Sequence, residues 1–329
     1  MKSDELSFIT RLKGKVPSLK NDVVFGIGDD AAVVQGKNDQ YVLLTTDVQI
    51  EGVHFQKEWG SSLQIGKKAV LAALNDISAM GGIPTHVLVS LAFPKKEVAY
   101  VEAIYKGLIE ECRTSNLDII GGNISSAREI VVSLTVFGIV QAKDVLYRNG
   151  ARVGDKVLVT GELGLGAIAV EEKRIHVAKS RVKEAHIIAQ SHMATAMIDI
   201  SDGLSSDLLH ICDASGVGVK LFEDKLPIII RHSNKRSASR IKTRFWTSQN
   251  DDSNKSTLYA LHGGEDYELC FTAKAAYAAK LARMVEKETG TKVSIIGEII
   301  DKKTGRWIIE SGGRKRPLKS GGWDHFSSK

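Results

Sequence analysis

Aspartates recur in this chain at positions where strands should end or where a helix should be dry. Asp29 and Asp30 follow the apolar run Val23-Val24-Phe25 in G-I-G-D-D-A-A, Asp47 closes L-T-T-D, and Asp199 and Asp202 close I-D-I-S-D-G. Asp76 stands beside Asn75 inside L-A-A-L-N-D-I-S-A-M, among residues that are mostly apolar or small. A single aspartate at a strand end is readily explained as a cap or a turn residue. A carboxylate on a dry helix face is not, because an unpaired buried charge is heavily penalised; it is paired or it holds a metal. With the hydroxyls of Thr45, Thr46 and Ser201 nearby in sequence and no His/Cys ligand spacing, the set describes hard oxygen ligands suited to Mg²⁺ rather than zinc. Mg²⁺ held by carboxylates commonly carries substrate phosphates on its other face.

Two phosphate-binding patterns are approached and missed. Gly26 to Ala31 has the outline G-x-G-x-x-A of a dinucleotide turn, but acids fill its middle and no clear strand-helix-strand unit with an acidic residue ending its second strand surrounds it. Cations between those acids and a phosphate would resolve the contradiction. Gly60 to Lys68, G-S-S-L-Q-I-G-K-K, puts five residues between the glycines where a P-loop has four, and Lys68 stands where Ser or Thr should follow the first lysine.

The elements that must position these residues alternate along the chain, which predicts an α/β or α+β protein of two comparable halves. Strands are expected at Tyr41 to Thr45, His86 to Ala92, Leu117 to Ile120 and Ile130 to Val140, with helices at Leu63 to Met80 and about Glu97 to Thr114. A turn-rich break, Ala142 to Asp155, separates residues 1–142 from residues 143–329. The second half is expected to hold strands at Lys156 to Thr160, Ala196 to Ile200, Glu268 to Thr272 and Val293 to Ile296, and a helix at Gly203 to Ser215. Arg231 to Ser256 is polar, basic and nearly free of apolar periodicity, so it reads as a solvated loop rather than a nucleic-acid contact.

With 329 residues, 43% of them hydrophobic, the chain can bury a sizeable core. No apolar run reaches the length of a membrane span and no secretory leader is recognisable, so a cytoplasmic protein is expected. Its three cysteines are far apart and read as reduced, buried thiols. A net charge of +6 suits anionic ligands without choosing among them.

In order along nearly the whole chain, G-I-G-D-D-A-A, L-T-T-D-V-Q-I-E-G-V-H-F, N-D-I-S-A-M-G-G, I-G-G-N, Y-R-N-G-A-R-V-G-D, I-D-I-S-D-G-L, G-G-E-D-Y-E-L and G-G-W-D-H-F resemble the motifs of the thiamine-monophosphate kinase family. That family belongs to the aminoimidazole-ribonucleotide synthetase-like superfamily. The resemblance implies a two-domain α/β fold: an N-terminal domain whose sheet or barrel forms a dimer interface, and a C-terminal α/β domain that completes the substrate site. It implies Mg²⁺-dependent phosphoryl transfer from ATP to thiamine monophosphate in a homodimer, with neither nucleic acid nor membrane as partner. Asp30, Thr45, Thr46, Asp47, Asp76, Asn123, Asp199 and Asp202 fall on magnesium positions, with Asp47, Asp76 and Asp202 foremost in assisting the transfer and no residue acting as general base. Tyr105, Gly122, Asn123, Arg148 and Ser201 fall on nucleotide positions, and His54, Glu265 and Trp323 on positions that contact the thiamine substrate. The family usually carries Asp where Asn123 stands, which removes one negative charge. Two alternatives follow: another ATP-using member of the superfamily, of the aminoimidazole-ribonucleotide synthetase type, or a catalytically weakened nucleotide-binding homologue.

Overall fold

The computed structural model describes residues 5–17, 20–230, 242–243 and 251–323. Helix α1 (Glu5–Lys13) precedes a six-stranded sheet built from β1 (Val23–Phe25), β2 (Ala32–Gln35), β3 (Gln40–Ile50), β4 (Ile83–Phe93), β5 (Asp118–Ser126) and β6 (Val131–Gln141). The spatial order is β1-β2-β3-β6-β4-β5, antiparallel except for the parallel edge pair β4 and β5. One face is covered by α2 (Ser62–Ala79) and α3 (Val98–Thr114). Period-2 alternation places Leu43, Val87, Val89, Val132, Leu134 and Val136 in a core with Ile65, Leu74, Ile77, Ile104 and Leu108 of the two helices. The sheet is open, and among the described residues no closed barrel forms, so the expected sheet or barrel resolves to the sheet.

A capping box starts α2: the Ser61 hydroxyl accepts from the Gln64 backbone N–H while the Gln64 side chain accepts from the Ser61 N–H. Gly66 of α2 and Gly107 of α3 let the helices touch backbone to backbone, since a Cβ on either would lie 2.1 Å from a carbonyl oxygen of the other helix.

The second half carries a seven-stranded sheet ordered β15-β14-β9-β13-β7-β12-β8, from β7 (Lys156–Thr160), β8 (Ala194–Asp199), β9 (Gly218–Phe222), β12 (Leu269–Ala273), β13 (Val293–Ile300), β14 (Arg306–Ile309) and β15 (Lys315–Pro317). A separate pair joins β10 (Ile229–Ile230) to β11 (Lys242–Thr243). Its helices are α4 (Leu165–Glu171), α5 (Val182–Gln190), α6 (Leu204–Ser215), α7 (Asp251–His262) and α8 (Ala275–Thr289). Both faces of this sheet are covered, as β7 shows: Val157 and Val159 enter the core containing Leu208 and Ile211 of α6, while Leu158 enters the core containing Ala185 of α5 and Leu281 of α8.

The expected elements are present, with ends displaced by a few residues. The largest displacement is at β5, which runs on to Ser126 through a Gly-Gly pair that discourages a strand reading. The basic stretch Arg231 to Ser256 is only partly described. Within it β11 pairs with β10, and α7 begins at Asp251, so the loop reading fails for its last residues. Residues 231–241 and 244–250 lie outside the described set.

Among the described residues no helix is long and apolar enough to cross a membrane. All three cysteines are free and buried, and burial pushes the Cys112 and Cys212 thiols up to about 12. A thiolate is the reactive form. The native protein should therefore react negligibly with a thiol reagent at pH 8 and release three equivalents only in denaturant; prompt native labelling would contradict this burial.

Candidate functional site

Helix α2 belongs to both halves. Its last residue, Ala79, lies in the C-terminal core with Leu158 and Ala185, and Ala72 packs on Ala178 and Tyr267. This seam brings Asp76 on α2 against Asp199 at the end of β8 and Asp30 in the turn before β2. Carboxylate oxygens of the three lie within 4.8 Å of one another. Asp30 and Asp199 are buried, and Asp76 is half-buried. Thr45 on β3 donates its hydroxyl to Asp76 Oδ2 at 2.6 Å. Asp47 lies two residues further along the same strand face.

These charges disturb one another strongly. Burial, then Asp199, Asp30 and Asp47, hold the Asp76 carboxyl well above the ordinary carboxylate range, against the pull of the Thr45 hydrogen bond. Burial and Asp30 raise Asp199 likewise; Arg148 opposes them, and Asp202 and Asp47 add to the rise. Asp30 Oδ2 and Asp199 Oδ2 are buried without a hydrogen-bond partner. Such atoms carry a full desolvation penalty unless something binds them. The residues fit a hard dication: close carboxylate oxygens from three separate segments, two of them with an orphaned atom, and a hydroxyl alongside.

Arg148 is the cation of this neighbourhood. Its Nη2 donates to Asp30 Oδ1 at 2.5 Å, and its backbone N–H donates to Asp29 Oδ1 and Oδ2 at 3.3 and 3.1 Å. Burial works against its charge, but Asp30, Asp29 and Asp199 outweigh burial and hold the guanidinium above its usual range. Asp29 is thereby engaged structurally; burial and then Asp30 raise its carboxyl to about 7, with Arg148 opposing. The two adjacent aspartates of G-I-G-D-D-A-A thus divide the work, Asp29 fixing the turn to residue 148 and Asp30 facing the cluster.

Around Asp202 the chain makes a second convergence. Ser201 O accepts from the Glu265 N–H at 2.8 Å, and Asp202 O accepts from the Trp323 N–H at 3.1 Å. Asp207, whose role the sequence did not reveal, accepts from the N–H groups of Asp202 and Gly203 and so fixes the I-S-D-G turn ahead of α6. Glu265 and Tyr267 both have left-handed backbones, with φ of 68° and 52°. Non-glycine residues there are rare and persist only where surroundings over-determine them. His54 Nδ1 accepts from the Ile50 N–H at 3.1 Å. Lys68 Nζ, 3% exposed in its side chain, donates to the His54 carbonyl and to Glu265 Oε1, both at 2.6 Å.

The expected residues therefore separate into two sets. Asp30, Thr45, Asp47, Asp76, Asp199, Asp202 and Arg148 form one electrostatic neighbourhood, bordered by Ser201, Glu265, His54 and Trp323. Thr46 points to the opposite face of β3, toward Thr135. Tyr105 packs its ring against the N-terminal core from α3. Gly122 and Asn123 lie on edge strand β5, where a Cβ on Gly122 would meet the Val89 carbonyl oxygen at 1.7 Å. The ladder Val48, Ser133, Ser90, Asn123 puts three strand spacings, about 14 Å, between Asn123 and β3 of the same chain.

Comparison with known proteins decides the family. The signature of the AIR synthase related protein, N-terminal domain, matches residues 28–140, and that of the C-terminal domain matches residues 152–310. Thiamine-monophosphate kinase of Salmonella typhimurium is 31% identical over 100% of both chains. The chain belongs to the thiamine-monophosphate kinase family. A further family member from Bacillus subtilis is 31% identical over 93% of this chain and 94% of its own. The solved structure of AaThiL complexed with AMPPCP and TMP superposes on this kinase-family chain with a TM-score of 0.75 at 28% identity, covering 98% of this chain and 97% of the other.

Proposed function

We infer that the chain transfers the γ-phosphoryl group of ATP to thiamine monophosphate, giving thiamine diphosphate and ADP, with Mg²⁺ held at the domain seam. The observation that carries this reading is the Asp30, Asp76 and Asp199 cluster with its orphaned oxygens, placed beside Glu265 and Trp323 in a family member. Asp30, Thr45, Asp47, Asp76, Asp199 and Asp202 would hold the cations. When bound, Mg²⁺ neutralises phosphate oxygens and the charge that develops on them during transfer.

The rest of the chemistry asks little of the protein. The attacking group is an oxygen of the substrate's monoester phosphate, whose second pKa is about 6, so no general base is needed. That oxygen bonds to the γ-phosphorus as the bond to the β-γ bridging oxygen breaks and ADP departs. The chain supplies alignment and charge. Arg148 orients Asp30 through its Nη2 hydrogen bond, Glu265 and His54 border the thiamine side, and Trp323, 40% exposed, offers an aromatic face to the cationic thiazolium.

Gly122 and Asn123 reach such a cluster only from another copy, because β5 is remote from β3 within one chain. The open face of the N-terminal sheet, which carries exposed Val48, Ile83 and Ile139, is the surface on which a homodimer would form. The reduced thiols suit the cytoplasm. Under this arrangement Asn123→Asp restores a charge to the cation cage and should lower the Mg²⁺ concentration for half-maximal rate severalfold. An unchanged Mg²⁺ dependence would show that Asn123 faces no cation.

The deciding assay measures ATP turnover with thiamine monophosphate, thiamine and aminoimidazole-type precursors, each across Mg²⁺ concentrations. Diphosphate formed only from thiamine monophosphate supports the reading. Turnover of an aminoimidazole precursor would favour the synthetase-type alternative, and nucleotide binding without any turnover would favour the weakened homologue.

A further inference from the structure

Lys68 has no part in the proposed transfer, yet it is the most deeply placed ammonium of the seam. A lysine on a helix of 18 residues ordinarily leads its charge to water along its flexible stem. The neighbouring Lys67 does so, pairing with Glu110 at the surface. Lys68 does the opposite: its side chain is 3% exposed and its ammonium is shared between Glu265 Oε1 and the His54 carbonyl. One partner lies in the loop after β3, the other in the C-terminal half, so a single side chain spans the two halves.

Both partners are residues that border the thiamine side of the site, and both lie in loops outside helices and strands. Glu265 sits in the strained left-handed region between Gly264 and Asp266. Its N–H is tied to Ser201 O, but nothing in regular secondary structure fixes its side chain. His54 belongs to the G-V-H turn that leaves β3. A buried charge whose partner is removed is strongly disfavoured, so the Lys68 ammonium admits few positions for the Glu265 carboxylate. Charge-assisted bonds of 2.6 Å set that carboxylate's place and direction.

We propose that Lys68 is a positioning residue for thiamine monophosphate: by bridging Glu265 and the His54 carbonyl across the domain seam, it fixes the carboxylate that faces the substrate's cationic portion. This rests on the functional reading above. It also assigns a substrate effect to a residue that stands eight positions before Asp76 on α2, about 12 Å along the helix axis from it. Lys68 therefore acts on the acceptor and leaves ATP alone.

The test measures steady-state kinetics of wild type, Lys68→Met, Lys68→Arg, Glu265→Gln and the Lys68→Met/Glu265→Gln double variant, with each substrate varied at saturating Mg²⁺. Lys68→Met should raise KM for thiamine monophosphate at least about tenfold while KM for ATP stays within about twofold. Lys68→Arg, which keeps the charge, should lie nearer wild type. In the Glu265→Gln background, Lys68→Met should add no more than about twofold, since the carboxylate it positions is already gone. Equal increases in both KM values, fully additive effects in the double variant, or an unchanged KM for thiamine monophosphate would each overturn the proposal. If Lys68→Met does not fold, the Lys68→Arg and Glu265→Gln kinetics decide it by the same split. A wild-type chain inactive on thiamine monophosphate would overturn the functional reading and this inference together; an active wild type with any contrary result overturns the inference alone.

Discussion

Asp76→Asn is expected to lower turnover of thiamine monophosphate by roughly a thousandfold, the scale of losing one preorganised electrostatic element in a transfer site. The same substitution should stabilise the cation-free protein. Carboxylate oxygens of Asp30, Asp76 and Asp199 lie within 4.8 Å of one another, and without a cation such a buried group of acids pays either for mutual repulsion or for taking up a proton. Asparagine keeps an acceptor for the Thr45 hydroxyl and removes the charge. Thermal unfolding with and without Mg²⁺ separates the two effects. Wild type should melt lower than the variant in chelator and gain markedly from Mg²⁺, because a ligand that binds only the folded state stabilises it; the variant should gain much less. Equal Mg²⁺ stabilisation of both proteins would remove Asp76 from the cation site, and a variant less stable than wild type in chelator would contradict the repulsion.

The second large effect is on stability alone. Arg181, just before α5, donates through Nε and Nη2 to the two oxygens of Glu268 at 2.6 and 2.5 Å, and through Nη1 to Glu184 and Thr291. Thr160 adds a hydroxyl to Glu268 at 2.6 Å. The side chains of Arg181 and Glu268 are each 7% exposed. Arg181→Met would strand two buried glutamates, and removing one partner of a buried pair typically costs about 3–5 kcal/mol. Adding Glu268→Gln should return part of that loss, since it removes one of the stranded charges. Urea unfolding midpoints at constant m-value measure both. A loss below about 1 kcal/mol for Arg181→Met would mean that water reaches the pair, as it does in surface ion pairs.

Much of the acidic half of the candidate site was legible because carboxylates are conspicuous where apolar residues should be. Asp76 in an apolar helix and Asp199 at a strand end announced themselves by chemistry, and the seam brings them together. Lys68 carried the same signal, a charge inside I-G-K-K-A-V-L-A-A-L, but matching it against a P-loop drew attention to the wrong property. The Arg181, Glu184 and Glu268 network was not legible at all. Its members are separated by up to 87 residues, and no local pattern distinguishes a buried salt bridge from surface charges. Gly122 and Asn123 show the limit in the other direction: the motif is clear, yet strand order alone decides that β5 is an edge, and strand order depends on nonlocal pairing that periodicity does not encode.

The double allegiance of α2 limits how the two halves can move. A crevice between two domains ordinarily opens by rotation about a flexible connection. Here α2 itself is anchored at Ala79 in one core and at Ile65 and Leu74 in the other, so such a rotation would tear packed side chains apart. The turns at 52–54 and 263–267 rim the seam outside helices and strands, so they can rearrange without disturbing either core. Lys68 ties those two turns together through the His54 carbonyl and Glu265, so in the arrangement proposed above their freedom to move and the grip on substrate are coupled at one ammonium.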